Sequence, residues 1–223
     1  MPWSQFGCWA FNSVWLAGLS AALTTLLSSV SAVSAFAVRR QSSSLTRGAA
    51  RLASLGCDVP GVVIVVCLLI PVGWLRSTAP DLKAGYWVTA TVPGIVWAYL
   101  VRFSAVALHS VQSGYTRIPA SVDDSAHMLG ATGLGLLKCV NWPLHKHSVA
   151  VAALLVFVDV MKELPATLVL RPFNSETLAV VAYQLARDER LGEAALPALA
   201  LVLVLVLVGL LPMALISRTL RAR

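Results

Sequence analysis

Apolar residues in this chain run in long blocks, not in alternation with polar ones. Blocks long enough to cross a hydrocarbon layer of about 30 Å, which takes roughly 20 helical residues, lie at Asn12–Val38, Gly61–Leu75, Tyr86–Val111, Ser148–Leu164 and Ala194–Ile216. The pattern predicts five membrane-spanning helices. The second and fourth are short, and each can recruit neighbours: Leu55–Pro60 before one, Pro165–Leu170 after the other. From Leu201 to Val208 leucine and valine alternate with a strand's period of two. Both partners are apolar, so the alternation defines no polar face. A lone strand in lipid could not satisfy its own backbone, so this block too is expected to be helical.

The polar stretches between the blocks differ in character. "RRQSSSLTRGAARLASLG" after the first span is basic and rich in small residues, as expected of an amphipathic segment lying on lipid headgroups. Pro60, Pro71 and Gly73 in the second span and Pro93-Gly94 in the third are helix breakers, which membrane proteins tolerate where neighbours satisfy the freed carbonyls. After the fourth span, Asn174 or Ser175 is placed to cap a helix with Glu176 in its first turn. Leu178, Val181, Ala182 and Leu185 would share its buried face, and it should end near Gly192.

Composition agrees with the blocks: of 223 residues 58% are hydrophobic and only 12% charged, about half the charged share of an average soluble domain. The net charge of +7 could suggest nucleic acid, but its distribution argues for topology. On five spans, one side receives Arg39, Arg40, Arg47, Arg51, Arg102, Arg117, Lys138, Lys146, Arg218, Arg221 and Arg223. The other receives Arg76, Lys83, Arg171, Arg187 and Arg190, with Lys162 near a span end. Eleven against five fits the positive-inside rule, with the N-terminus outside and the C-terminus cytoplasmic; with the resemblance given below, outside means the periplasm. No Lys or Arg precedes Arg39, so the first span reads as retained rather than as a signal peptide. Cys8, Cys57, Cys67 and Cys139 show no CxxC spacing and are read as small hydrophobes.

The stretch "SVDDSAHMLGATGLGLLKCVNWPLHKH" is too elaborate for a plain connector. Asp124-Ser125-Ala126 is followed by Gly130, and after nine more residues by Val140, Asn141, Trp142 and Pro143. This spacing resembles the EAA loop of bacterial ABC-importer permeases, with Asp for Glu, Ser for the first Ala, and Trp142 where Leu is usual. The resemblance implies a cytoplasmic coupling loop over about residues 112–147, carried by Asp124, Ser125, Ala126, Gly130, Val140 and Pro143, that docks on a separate ATPase. Small side chains permit close approach, and a glycine permits the turn that ends a helix. His145 and His147 have no companion ligand in sequence and are expected at the headgroup level; Gly133 and Gly135 do not form a phosphate loop.

A second stretch, with "DVMKELPAT", "LRPFN", "TLA", "DER" and "EAALPAL", resembles the C-terminal half of iron(III)-type ABC permeases. That resemblance implies an all-α polytopic fold (MetI-like) in one transmembrane domain, located in the bacterial inner membrane. It also implies cytoplasmic ABC ATPases, a second permease half, a periplasmic substrate-binding protein and lipid as partners, with ferric iron as substrate. Related permeases carry thiamine, polyamines or phosphonates. Such permeases usually have two fused halves, and this chain looks like the second alone. GxxxxGK[ST] does not occur, so the motor is expected on another chain, with no catalytic residue, cofactor or resident metal here.

Asp159, Lys162 and Glu163 stand at i, i+3 and i+4 and would share one face of a continuous helix. Charges in a span cost several kcal/mol unless they face a bundle interior, a cavity or the interface. Two readings stay open: an ion cluster that seats the helix, or part of a translocation path, where oxygen ligands suit a hard cation and Lys162 opposes one. A rival from another class is an intramembrane enzyme using Asp159 and Glu163 as paired carboxylates.

Overall fold

The structure, a computed structural model, describes residues 3–37, 60–78, 88, 91–116, 120–130, 135, 140–173 and 175–221. The basic segment after Val38, Lys83, Arg117, Lys138, Cys57, Cys139 and Asn174 lie outside the described residues. Among the described residues eight helices follow in order: α1 (Trp3–Ala37), α2 (Gly61–Thr78), α3 (Val92–Thr116), α4 (Ala120–Met128), α5 (Trp142–Met161), α6 (Pro165–Leu170), α7 (Leu178–Arg187) and α8 (Leu191–Arg221). No strand occurs among the described residues. Among the described residues five helices are long and apolar enough to cross a membrane, over Gln5–Ser31, Gly61–Thr78, Val92–Gly114, Trp142–Met161 and Leu191–Leu210. The all-α, five-span expectation holds.

α1, α3 and α5 pack on one another and carry the core, with Ala17, Ala21, Ile95, Tyr99, Phe103, Ala107, Val156 and Val160 buried between them. The face that α1 turns inward is made of small residues: Ser13, Ala17, Ser20, Ala21, Thr24 and Ser28 recur every three or four positions and are all buried. Side chains this small let backbones approach without a driving force from water. Their hydroxyls are partly absorbed locally, with Ser13 donating to the Trp9 carbonyl at 2.9 Å and Thr24 to Ser20 at 2.7 Å. Ser28 reaches across to the Ser104 carbonyl at 3.4 Å.

α2 and α8 are peripheral. α2 exposes Val62, Val63, Val66, Ile70 and Trp74, and α8 exposes Leu199, Val202, Leu203, Val206, Leu207 and Leu210. In α8 the half-buried Val204 and Leu205 pack on the core while 202, 203, 206 and 207 point away. The burial thus follows a helical period although the sequence alternates by two.

Several boundaries differ from expectation. α3 starts at Val92, with Pro93 in its first turn, where a missing N–H is tolerated. α5 starts at Trp142, six residues before the expected Ser148, with Pro143 in its first turn. It ends at Met161, short of Leu164. Pro165 explains this end: it has no N–H to give the Met161 carbonyl, so the chain breaks over Lys162–Leu164 and resumes as α6. Ser175 does not cap α7. Thr177 does, its hydroxyl accepting from the Val180 amide at 3.5 Å, while Glu176 lies before the helix and pairs with Arg171 at 3.2 Å. Ser13 of α1 accepts the next free amide, that of Leu178, at 2.8 Å. α7 ends at Arg187 rather than near Gly192. The Glu189 amide bonds the Ala186 carbonyl and the Arg190 amide the Leu185 carbonyl, with Glu189 at φ 59°. This is the paired closure of a helix C-terminus that usually employs glycine.

Candidate functional site

The stretch joining α3 to α5 contains a helix of its own. Asp124, Ser125 and Ala126 lie on α4; Ser125 donates to the Ser121 carbonyl at 2.8 Å and Ala126 is buried. The Leu129 amide still bonds the Ser125 carbonyl at 3.1 Å, and Gly130 then turns the chain with φ +82°. Among the described residues nothing lies within 4 Å of where a Gly130 side chain would begin. The glycine is therefore required by backbone conformation and not by space. Met128 and Leu129, just before the turn, are 90% and 87% exposed. Val140 is half-buried at the entry to α5 and Pro143 is exposed in its first turn. They sit beyond residues 131–139, most of which lie outside the described residues.

His145 and His147 do not act as a pair: His145 is buried, at 3% exposure, and His147 is exposed. His145 stands in the first turn of α5 with its side chain packed into the bundle. No cluster of three or more His, Cys, Asp or Glu that could hold a metal ion occurs among the described residues. Cys8 and Cys67 are free and exposed.

The charged trio of the fourth span separates. Lys162 pairs with Asp159 at 2.8 Å on an open surface, Lys162 being 59% exposed. Glu163 turns the other way, is buried, and receives Arg102 Nε at 3.2 Å on Oε2. The expected common face required a continuous helix through Glu163, and Pro165 ends that helix first. The correction extends to Arg102. It sits in the middle of α3, about 15 Å of helix from Val92 and 21 Å from Thr116 at 1.5 Å per residue. Its charge is committed inside the bundle, so it is not a marker of the cytoplasmic side, and the cationic asymmetry becomes ten against five. The sequence did contain the signal: an arginine in the interior of an apolar block needs a partner.

A second polar contact stands one turn away. Tyr99, three residues before Arg102, hydrogen-bonds Thr167, four residues after Glu163. Thr167 gives its own proton to the Glu163 carbonyl at 2.6 Å, so the Tyr99 hydroxyl is the donor to Thr167. Two rungs therefore join α3 to the elbow between α5 and α6. Each is nearly dry, with Tyr99, Thr167 and Glu163 all buried.

A bundle of five apolar helices, with a short helix between the third and fourth, defines a multi-pass membrane protein and agrees with the architecture of ABC-importer permeases. The chain is 29% identical over 192 residues to the Fe(3+)-transport system permease protein FbpB 2 of Haemophilus influenzae, covering 86% of this chain and 36% of that protein. It is 30% identical over 175 residues to the maltose/maltodextrin transport system permease protein MalG of Vibrio vulnificus, and 32% identical to MalG of Escherichia coli K12, covering 77% of this chain and 55% of each. No family model matches the chain. The chain thus spans between about a third and just over half the length of these relatives. They bear out the resemblance to ABC-importer permeases. The paired carboxylates that the intramembrane-enzyme reading needs are not a pair here, since Asp159 and Glu163 each hold a different cation.

Proposed function

We propose that the chain is the permease core of a binding-protein-dependent ABC importer for ferric iron, working with a second permease half, cytoplasmic ATPases and a periplasmic binding protein. The observation that carries the reading is α4, a separate short helix between two spans that ends on Gly130 at positive φ. Asp124, Ser125, Ala126 and Gly130 belong to the coupling loop, Ala126 as its buried residue, and Val140 and Pro143 set where the chain re-enters the bundle. ATP binding draws the docked loops together and swings the spans to open the path outward; hydrolysis resets it inward.

Ferric iron as the cargo is supported by the "DVMKELPAT" to "EAALPAL" run and by the Fe(3+) permease among the relatives. A neutral maltodextrin is the second reading, supported by the MalG relatives. Asp159 and Lys162 lie on the path in either case, whereas Glu163 acts on it through Arg102. The ten-to-five cationic asymmetry supports a periplasmic N-terminus and a cytoplasmic C-terminus.

Copurification and uptake test the reading. Tagged chain, expressed with its neighbouring transport genes, should retain an ATPase and take up radiolabelled ferric iron in preference to maltodextrin. Reporter fusions should be cytoplasmic at Ser43, Ala131 and Arg223 and periplasmic at Ala79 and Arg187. A periplasmic Ala131 sinks the proposal, because no ATPase could reach the loop.

A further inference from the structure

A pocket of about 350 Å³ lies at the end of the bundle where α1 begins and α7 turns into α8. That volume is at the lower end of the roughly 300–1,000 Å³ of small-molecule sites. α1 contributes Gln5 and Trp9 to the lining, α7 contributes Gln184 and Asp188, and Arg190 and Glu193 stand where α8 starts. The spans fix its depth. Gln5 opens the first apolar span and Leu191 the last, so the pocket sits where hydrocarbon gives way to headgroups, the level at which tryptophan is enriched.

Three carboxylates line it, and two have arginine partners: Glu176 receives Arg171 at 3.2 Å and Glu193 receives Arg190 Nε at 2.9 Å, each on Oε1. Asp188 has no ion pair among the described residues, which leaves one negative charge unanswered. Below the pocket the walls turn apolar. The face of α1 that carries Gln5 and Trp9 continues at helical spacing through Leu16, Leu23 and Leu27, and that of Glu193 on α8 through Leu196, Leu203 and Leu207. All but Leu16 are exposed. α1 and α8 both pack on α5 and both touch α7, yet among the described residues they make little contact with each other. A polar, anionic head region above two separated apolar faces has the profile of a phospholipid with a cationic headgroup.

We propose that this pocket binds the headgroup of an ethanolamine phospholipid, its ammonium on Asp188 and its phosphate on Arg190, with the acyl chains lying along the apolar faces of α1 and α8. A primary ammonium carries three donors, as a lysine does, and so serves Asp188 together with the side-chain carbonyls of Gln5 and Gln184. A choline headgroup has no donor to give them, and a glycerol headgroup brings no positive charge. Arg190 reaches Glu193 through Nε and Nη2, which leaves Nη1 for the phosphate. The site rests on the five-span bundle and is independent of the cargo.

The test uses the complex as purified from membranes, with the partner half and ATPase it retains, exchanged into nanodiscs of equal parts dioleoyl phosphatidylethanolamine, phosphatidylcholine and phosphatidylglycerol and read by native mass spectrometry. Wild type should keep phosphatidylethanolamine over either other lipid by roughly tenfold, the size of one charge-assisted hydrogen bond. Asp188→Asn should bring that ratio to within about twofold of unity, and Asp188→Glu should preserve most of it. Asp188 is exposed and unpaired, so the variants should assemble as wild type does; if they do not, wild-type selectivity alone decides. No preference in wild type, the result also expected if a second permease half covers the pocket, overturns the proposal. So does a preference that Asp188→Asn leaves intact, or displacement of the lipid by an equal concentration of soluble phosphoethanolamine, which would make the chains irrelevant. A complex that retains no ATPase defeats the importer reading and leaves the lipid result standing.

Discussion

Replacing Gly130 in turn by asparagine, alanine and valine separates backbone conformation from side-chain size at the end of α4. The residue holds φ +82° with open space around it, so a substituent meets no neighbour and any penalty is conformational. A residue with a Cβ pays about 1–2 kcal/mol in the left-handed region. Asparagine enters that region more readily than most residues, and a β-branched side chain is a true outlier there. If docking on the ATPase requires the turn, the measured dissociation constant rises as the inverse of the competent fraction. With about 1.4 kcal/mol per tenfold, Gly130→Ala should weaken association by roughly tenfold and Gly130→Val by more, while Gly130→Asn stays within about threefold. The assay is titration of purified ATPase onto permease in nanodiscs, with membrane abundance followed in parallel. Because the turn lies outside the packed core, abundance should change little across the series. Equal affinities for Gly130→Asn and Gly130→Val would refute the reasoning, since size and branching would then be irrelevant at a position chosen for its backbone.

Other expectations concern stability. Glu163→Gln leaves Arg102 facing a neutral amide inside the bundle and should cost on the order of 3–5 kcal/mol, whereas Asp159→Asn breaks an exposed pair and should cost less than about 1 kcal/mol; thermal unfolding in detergent ranks the two, and equal shifts would contradict the split of the trio. Glu189→Gly should raise stability by about 1 kcal/mol by relieving a left-handed residue, read as a higher melting temperature. Ser13→Ala removes the acceptor for the Leu178 amide and should cost about 1 kcal/mol, seen as faster amide exchange in the first turn of α7.

Periodicity and block length made the spans legible, because lipid enforces helical backbone wherever an apolar run is long enough. Their ends were less legible. Trp142 to His147 looks polar enough for a loop, yet Pro143 suits a helix first turn and α5 absorbs the segment. Asp159 to Glu163 looks like one helical face, yet its geometry is decided by Pro165, two residues beyond the last charge. Arg102 was hidden by arithmetic: counted among topology charges, it drew no question about what neutralises it. The cap of α7 was off by two or three residues because Asn174, Ser175 and Thr177 are all competent caps. Ser13, far away in sequence, accepts the Leu178 amide at that helix start. Asp124 to Gly130 carried its signal locally, since a helix ending in a positive-φ turn needs only adjacent residues.

The seam along α1 also bears on how the bundle can move. Ser13, Ala17, Ser20, Ala21, Thr24 and Ser28 present low relief to α3 and α5. Interlocked leucines would have to change rotamer before one helix could pass another, but a strip of alanine and serine has little to disengage. α1 therefore meets its neighbours across a smooth bearing surface, on which small sliding displacements of packed helices are the natural motion. Its grip comes from closeness of approach rather than from interdigitation, so a single bulky residue at Ala17 or Ala21 would act as a brake as well as a wedge.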